Sequence, residues 1–485
     1  MTASPTTAGL ADQRPHRLRA AGRLLRLELR RSVMLWLLPI IGGLFWLVTY
    51  RPAMGHPPLW NIRAMIMQTT ASAVFVPAVV GAAAWLGARE TRHGIADLLT
   101  GTARSRWFRQ LVTWSAITAW SLTAYLICVA ALYLATARQG AWGGPLWWPA
   151  AVGAATLPAF SALGFAAGTL RPSRLTAPLT AVAVFLTLEL TAQFIHDDRS
   201  AWQVSPLVAG PWELGADPGV ATFYRYLPDL PIAQITFLAG ITAVFVGVLG
   251  IRPGSGSPWL RRTAAALTTT GVLAAVTATA LVSTGRLDPH GMIAIPALHR
   301  SAHDQPVPYT PVCADTPIPV CLHPAYATYL PTVTTTLGPL LRELAGLPGA
   351  PIRIEQTAAA YRQEAGNGVS INRAGPASTG TPPTLHLLLP VQFGHTTTAE
   401  QTTSALKADT ARDILSSVIG GGRETTAAQA AVTEAILGTP TLQPGTPEAA
   451  AAQRFAALPD QARHDWLMQH VTALRAGQLT LTDLP

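Results

Sequence analysis

The sequence predicts a polytopic α-helical membrane protein of seven spans, followed by a small extracytoplasmic α/β domain. Three observations carry that prediction. The 485-residue chain is 49% hydrophobic and only 12% charged, whereas about a quarter of the residues in soluble domains are charged. Its apolar residues gather in uncharged runs of about 20 residues, the length that crosses a bilayer as a helix, and those runs stop after Thr284. Charge is partitioned in the same way. Up to Thr284 there are 22 arginines against 10 acids, and beyond it 12 bases against 15 acids.

Seven segments qualify as spans: 32–50, 64–86, 111–136, 146–170, 175–194, 232–250 and 263–284. The seventh is the weakest candidate, because it is rich in Ala and Thr. No cleavable leader is evident, so residues 1–31 read as a cytoplasmic segment before an uncleaved anchor. With the N-terminus inside, 17 arginines fall on inner segments and 5 on outer ones, as the excess of Lys and Arg in cytoplasmic loops requires. Trp142, Trp147 and Trp148 then mark the outer interface, where indole rings settle. Seven crossings place the C-terminal domain outside. The expected location is a bacterial cytoplasmic membrane.

The basic excess sits between spans, so it predicts topology and no nucleic-acid partner. The chain has 33 arginines and one lysine, Lys407. A P-loop needs Gly-Lys-Ser/Thr, and Lys407 stands between Leu406 and Ala408. The chain therefore lacks its own P-loop. Cys313 and Cys321 both fall in the outer domain, and an oxidising compartment favours a disulfide between them; the alternative is two free thiols. Cys128, inside the third span, reads as a small apolar residue.

The stretch from 87 to 110 concentrates Arg89, Glu90, Arg92, Asp97, Arg104, Arg106 and Arg109 between two apolar runs. Ile95, Leu98 and Leu99 stand at i, i+3 and i+4, so a helix there would hold them on one face. Gly94 and Gly101 bracket it. A solvated positive-inside loop is the plain reading of the charges alone. The order of residues adds to it. Glu90, then Gly94-Ile95-Ala96-Asp97-Leu98-Leu99, then Ser105-Arg106 resembles the signature of ABC-2 type transporter permeases, with Ala103 where that signature has proline.

The resemblance spans about residues 14–250 and implies a six-span permease core at 32–250. It implies that Glu90, Gly94, Ile95, Asp97, Leu98, Leu99, Ser105 and Arg106 form a coupling helix against a separate P-loop ATPase subunit. ATP would be bound by that partner, so the chain itself would be no enzyme and would carry no cofactor or metal. A second permease copy or paralogue would complete the transporter. Residues 14–31 form an amphipathic pattern, with Leu18, Ala21, Leu25 and Leu29 on one face and Arg19, Arg23, Arg26 and Arg30 on another. Such a helix lies at the bilayer surface with its arginines toward anionic headgroups, and the family has a connecting helix in this position. The long segment between spans five and six, 195–231, matches the place of the family's re-entrant helices. Residues 251–284, a loop and the seventh span, and everything beyond are additions to that core.

Glu189, about two-thirds along the fifth span, is an ionisable residue at membrane depth, which by default suggests function. Water reached from the outer edge is the alternative. Gln68, in the second span, carries less weight.

Residues 285–331, Pro-rich around the two cysteines, read as a linker or rigid entry loop. Residues 332–485 read as the α/β domain. "PIRIEQ" and "TLHLLLPV" predict strands, and 326–345, 400–419, 425–437, 447–457 and 460–476 predict helices. Hydrolase chemistry finds no support. His299 and His303 have a metal-binding spacing without the glutamate of His-Glu-x-x-His, His464 and His470 are six apart, and no Gly-x-Ser-x-Gly occurs. Two readings follow. One is a permease subunit of an ATP-driven transporter for a lipid, peptide or drug. The other is a membrane-anchored receptor or degenerate peptidase-like domain.

Overall fold

The computed structural model describes residues 13–55, 58–92, 94, 105–140, 144–195, 199–209, 226–251, 257–288, 292–303, 310–356, 370–373, 384–388, 410–420 and 425–485. Helix α1 (Gln13–Arg30) leads into α2 (Met34–Gly55), α3 (Trp60–Gly87), α4 (Arg106–Arg138) and α5 (Trp147–Leu170). Then come α6 (Thr176–Ala192), α7 (Asp229–Ile251) and α8 (Pro258–Val282). Helices α2, α3, α4, α5, α7 and α8 are six helices long and apolar enough to cross a membrane. They make the chain compatible with a multi-pass membrane protein.

The fifth expected span differs. Helix α6 has 17 residues, about 25 Å at 1.5 Å per residue, against an apolar bilayer thickness of about 30 Å. The apolar run from 175 to 194 continues past the helix, but the amides of Gln193 and Phe194 turn back onto Leu190 and Thr191. The second span also shifts. It starts at Trp60, four residues before the apolar run, so Arg63, expected in an outer loop, lies inside α3 and is fully buried.

Helix α3 has apolar residues all round and no polar face, the composition of a helix buried by neighbours on several sides. Helix α5 approaches it backbone to backbone. A Cβ added at Gly164 would collide with the Val80 carbonyl, and one at Gly168 with the Ala84 carbonyl. Helices α7 and α8 meet in the same way, with a Cβ on Gly240 placed 2.6 Å from the Gly271 oxygen and the reverse also 2.6 Å. Lipid tails are as apolar as leucine, so such close packing of small residues holds membrane helices together.

The connections alternate between two ends of the bundle. At one end α1 meets the α3–α4 connection through Glu28 and Arg89, and Trp107 of α4 donates to the Val246 carbonyl of α7. At the other, Arg63 donates to Gln139 beyond α4, and Tyr133 to the Leu146 carbonyl before α5.

The second end carries the α/β domain. Strands β1 (Arg286–Leu287) and β2 (Ile293–Ala294) form a small antiparallel pair. Strands β3 (Val312–Ala314), β4 (Val320–Leu322), β5 (Arg353–Gln356), β6 (Ser370–Arg373) and β7 (Thr384–Leu388) form a sheet of order β3-β4-β5-β7-β6. Its β4, β5 and β7 run parallel, and its two edges are antiparallel. Helices α9 (Leu330–Leu344), α10 (Ala411–Ile419), α11 (Ala427–Leu437), α12 (Pro447–Ala456) and α13 (Asp460–Arg475) complete it. Residues 400–409, within the expected helix 400–419, lie outside the described residues. Residues 285–331, expected as a linker or rigid entry loop, supply β1 to β4, and Val320 and Leu322 of β4 are fully buried. A three-residue strand between prolines is too short for its alternation to stand out.

Leu59 and Ile62, at the start of α3, belong to the core of this domain, together with Val320, Leu337, Ile354 and Leu415. The domain is thus seated on the bundle by apolar packing. Cys313 and Cys321 face each other across β3 and β4 with Cα atoms 4.0 Å apart, and they are joined by a disulfide. Closing so short a loop contributes about 2–3 kcal/mol.

Glu434 of α11 fastens the following turn. Its carboxylate accepts hydrogen bonds from the Thr441 amide and hydroxyl and from the Leu442 amide. Burial works against its ionisation, but these bonds outweigh it and hold the carboxyl below its ordinary 4.5. A lowered pKa contributes stability that is present above the ordinary value and lost as pH falls through the folded one. Glu434→Gln is expected to lower the domain's melting temperature by a few degrees at pH 7. Its melting temperature should also depend less on pH below about 4.5 than that of the wild type.

Candidate functional site

The candidate site is the charged connection between α3 and α4, at the end of the bundle that carries α1. Arg89 grips Glu28 of α1 with both terminal nitrogens, at 3.1 and 2.8 Å. A bidentate guanidinium–carboxylate pair is among the stronger charged contacts, and the Glu28 hydrogen bond holds the Arg89 guanidinium above its ordinary pKa. Glu90 stands between Arg106 at 4.0 Å and Arg109 at 3.6 Å. Ser105 caps α4 by accepting the Phe108 amide at 3.3 Å. Arg92 lies over the Trp85 ring, 3.5 Å from its centre, and donates to the Trp85 carbonyl.

These contacts join α1, the short helix Arg89–Arg92 and the start of α4 into one charged junction. A second tie is apolar on one side and polar on the other: the Trp120 indole of α4 donates to the Leu29 carbonyl of α1 at 2.9 Å. Along α1, Ala21, Leu25 and Leu29 are half-buried, while Arg23, Arg26 and Arg30 are exposed. Over the second half of the helix these residues therefore lie on two faces of different burial; the Leu18 and Arg19 side chains lie outside the described residues. Gly94 adopts φ +64°, a left-handed turn that glycine takes at no steric cost. Ile95, Asp97, Leu98 and Leu99, the heart of the expected coupling helix, lie outside the described residues. Of the expected set, Glu90, Ser105 and Arg106 are brought together at one junction, with Gly94 turning the chain beside it. Glu28 and Arg109 join them. Glu28 was legible only as the single acid on a basic helix.

The opposite end holds a buried polar junction that the sequence underweighted. The Gln68 amide donates to the Pro206 and Val208 carbonyls at 3.0 and 2.9 Å. Gln234 of α7 donates to the Gln203, Ser205 and Val208 carbonyls at 3.0, 2.8 and 2.8 Å. Both glutamines are fully buried. They hold the segment 201–208 between α3 and α7, where its carbonyls would otherwise lack water, and a buried carbonyl without a partner is costly. This is the place where re-entrant helices were expected; residues 210–225 of it lie outside the described residues.

Glu189 is exposed on the outer face of α6, among Val182, Leu186 and Leu190, three residues from the helix end. It points away from the bundle. His299 meets Asp229 at 3.2 Å, and Asp229 also accepts the Ile295 amide. His464 bonds the Glu343 carbonyl, and His470 the Trp466 carbonyl. These histidines have structural partners. Among the described residues, no group of three or more His, Cys, Asp or Glu is placed to hold a metal ion. Compared with protein-family models, curated proteins and solved structures, the chain matches none.

Proposed function

We propose that the chain is the membrane-spanning permease subunit of an ATP-driven transporter of an amphipathic substrate, a lipid, peptide or drug. The observation that carries this reading is the junction of Glu28, Arg89, Glu90, Arg106 and Arg109. It fastens α1, the helix Arg89–Arg92 and the start of α4 into one body at one end of the bundle. Force applied there would act on α1, α3 and α4 together. A P-loop ATPase subunit would supply it, docking on the apolar residues Ile95, Leu98 and Leu99. A second copy or a paralogue would complete the pathway.

Purification of the tagged chain from its own host tests this reading. A P-loop ATPase is expected to co-purify. Leu98→Ala should weaken that association more than Arg92→Ala, since truncating an apolar anchor costs more than removing a solvated rim charge. Equal retention by both variants would leave the stretch as a positive-inside loop.

The orientation has its own check. With the N-terminus cytoplasmic, cysteines introduced as Ser200→Cys and Met468→Cys should both react with a membrane-impermeant thiol reagent in intact cells. Labelling of Ser200→Cys with protection of Met468→Cys would mean that α8 does not cross.

A further inference from the structure

We propose that the Cys313–Cys321 bond is a thiol–disulfide exchange site, opened at Cys313 by a dithiol and assisted by Arg353. The two sulfurs are unequal. Cys313 lies on the edge strand β3 and is exposed, while Cys321, on the interior strand β4, is 1% exposed. An incoming thiolate can reach only the first. The Arg353 guanidinium of β5 reaches across β4 and donates to the Cys313 sulfur at 3.4 Å. Its other side meets Glu355 at 3.3 Å. Cys321 pairs in register with Glu355, so Arg353, Glu355 and the disulfide share one face of the sheet. The opposite face carries Val320, Ile354 and Leu385 into the core.

This arrangement fits the requirements of exchange. A thiolate attacks a disulfide sulfur in line with the bond, and negative charge spreads over three sulfurs in the transition state. A cation beside the attacked sulfur attracts the anion and stabilises that charge. The external thiolate bonds to the Cys313 sulfur, the bond to Cys321 breaks, and Cys321 leaves with the electron pair and takes a proton. The second thiol of the dithiol, deprotonated, then attacks its own sulfur in the mixed disulfide. Cys313 departs as a thiolate beside Arg353. The dithiol ends as a disulfide and the protein as two thiols, a two-electron exchange. Reduction removes the bond that fastens the edge strand β3 to the sheet. The partner is a dithiol oxidoreductase or a small dithiol on the same side of the membrane as the domain. None of this depends on the transport reading.

The test uses the full chain in isolated membranes, reduced by dithiothreitol, with alkylation of new thiols and mass analysis of the 313 and 321 peptides. Arg353→Ala is expected to slow reduction about three- to tenfold, the scale of one partly exposed charge. Arg353→Lys should restore most of the rate. Glu355→Gln should quicken it, by removing the carboxylate that competes for the guanidinium and repels the thiolate. Arg342→Ala, remote on α9, should leave it unchanged. Equal rates in the wild type, Arg353→Ala and Glu355→Gln overturn the proposal, as does a disulfide that millimolar dithiothreitol leaves intact without denaturant.

Discussion

Gly164→Val and Gly168→Val are each expected to cut the yield of folded, detergent-extracted protein severely, while Gly42→Ala is nearly neutral. At the first two positions a side chain has no room, because the Val80 and Ala84 carbonyls of α3 lie where the Cβ would go. Backbone cannot retreat as the end of a long side chain can. Helices α3 and α5 would have to separate along their whole contact, losing the packing that replaces the hydrophobic effect inside a membrane. Overpacking of this kind costs about 1–3 kcal/mol in soluble cores, and more where backbone is the obstacle. At Gly42 an added Cβ meets nothing within 4 Å, and Ala is the better helix former. Thermal unfolding of the three variants in one detergent checks the contrast. Equal melting temperatures would mean that α3 and α5 do not pack through these glycines.

Ile62→Asp is the second large effect. Ile62 stands in the first turn of α3, fully buried in the core of the α/β domain. Its partners in that core are apolar, and burying a carboxylate among them costs about 4 kcal/mol or more. The domain is expected to lift from the bundle, so that protease cleaves within 330–475 in membranes at concentrations that spare the wild type. The membrane helices should remain inserted, because the change lies at the end of the span. Ile62→Val removes one methylene and should cost only about 1 kcal/mol. Unchanged protease resistance in Ile62→Asp would contradict the docking of the domain on α3.

The long apolar helices were legible because hydropathy accumulates over about 20 residues, and α1 because its arginines and leucines separate on a helical period. The strands β5 and β7 stood out as runs of β-formers between prolines and polar residues. Other features hid for physical reasons. Arg63 reads as a loop arginine because one charge ends a hydropathy run, yet its helix begins at Trp60 and buries it beside Gln139. Gln68 and Gln234 are 166 residues apart, and nothing local tells that both bind the same segment. The seat of the α/β domain on Leu59 and Ile62 is a contact between regions that sequence reading treats separately. At the candidate site the arginines were visible, but the partner of Arg89, Glu28, lies on another element, so the bidentate pair appears only in three dimensions.

The most direct test of the permease reading is co-purification of the ATPase with the double variant Leu98→Asp, Leu99→Asp. The wild type should carry a P-loop ATPase through affinity purification in near-stoichiometric amount. The double variant should lose it completely while still inserting and extracting as the wild type does, because two carboxylates cannot enter an apolar groove without partners. A double variant that retains the ATPase in the same amount would contradict the account. The charged connection would then serve only to orient the spans.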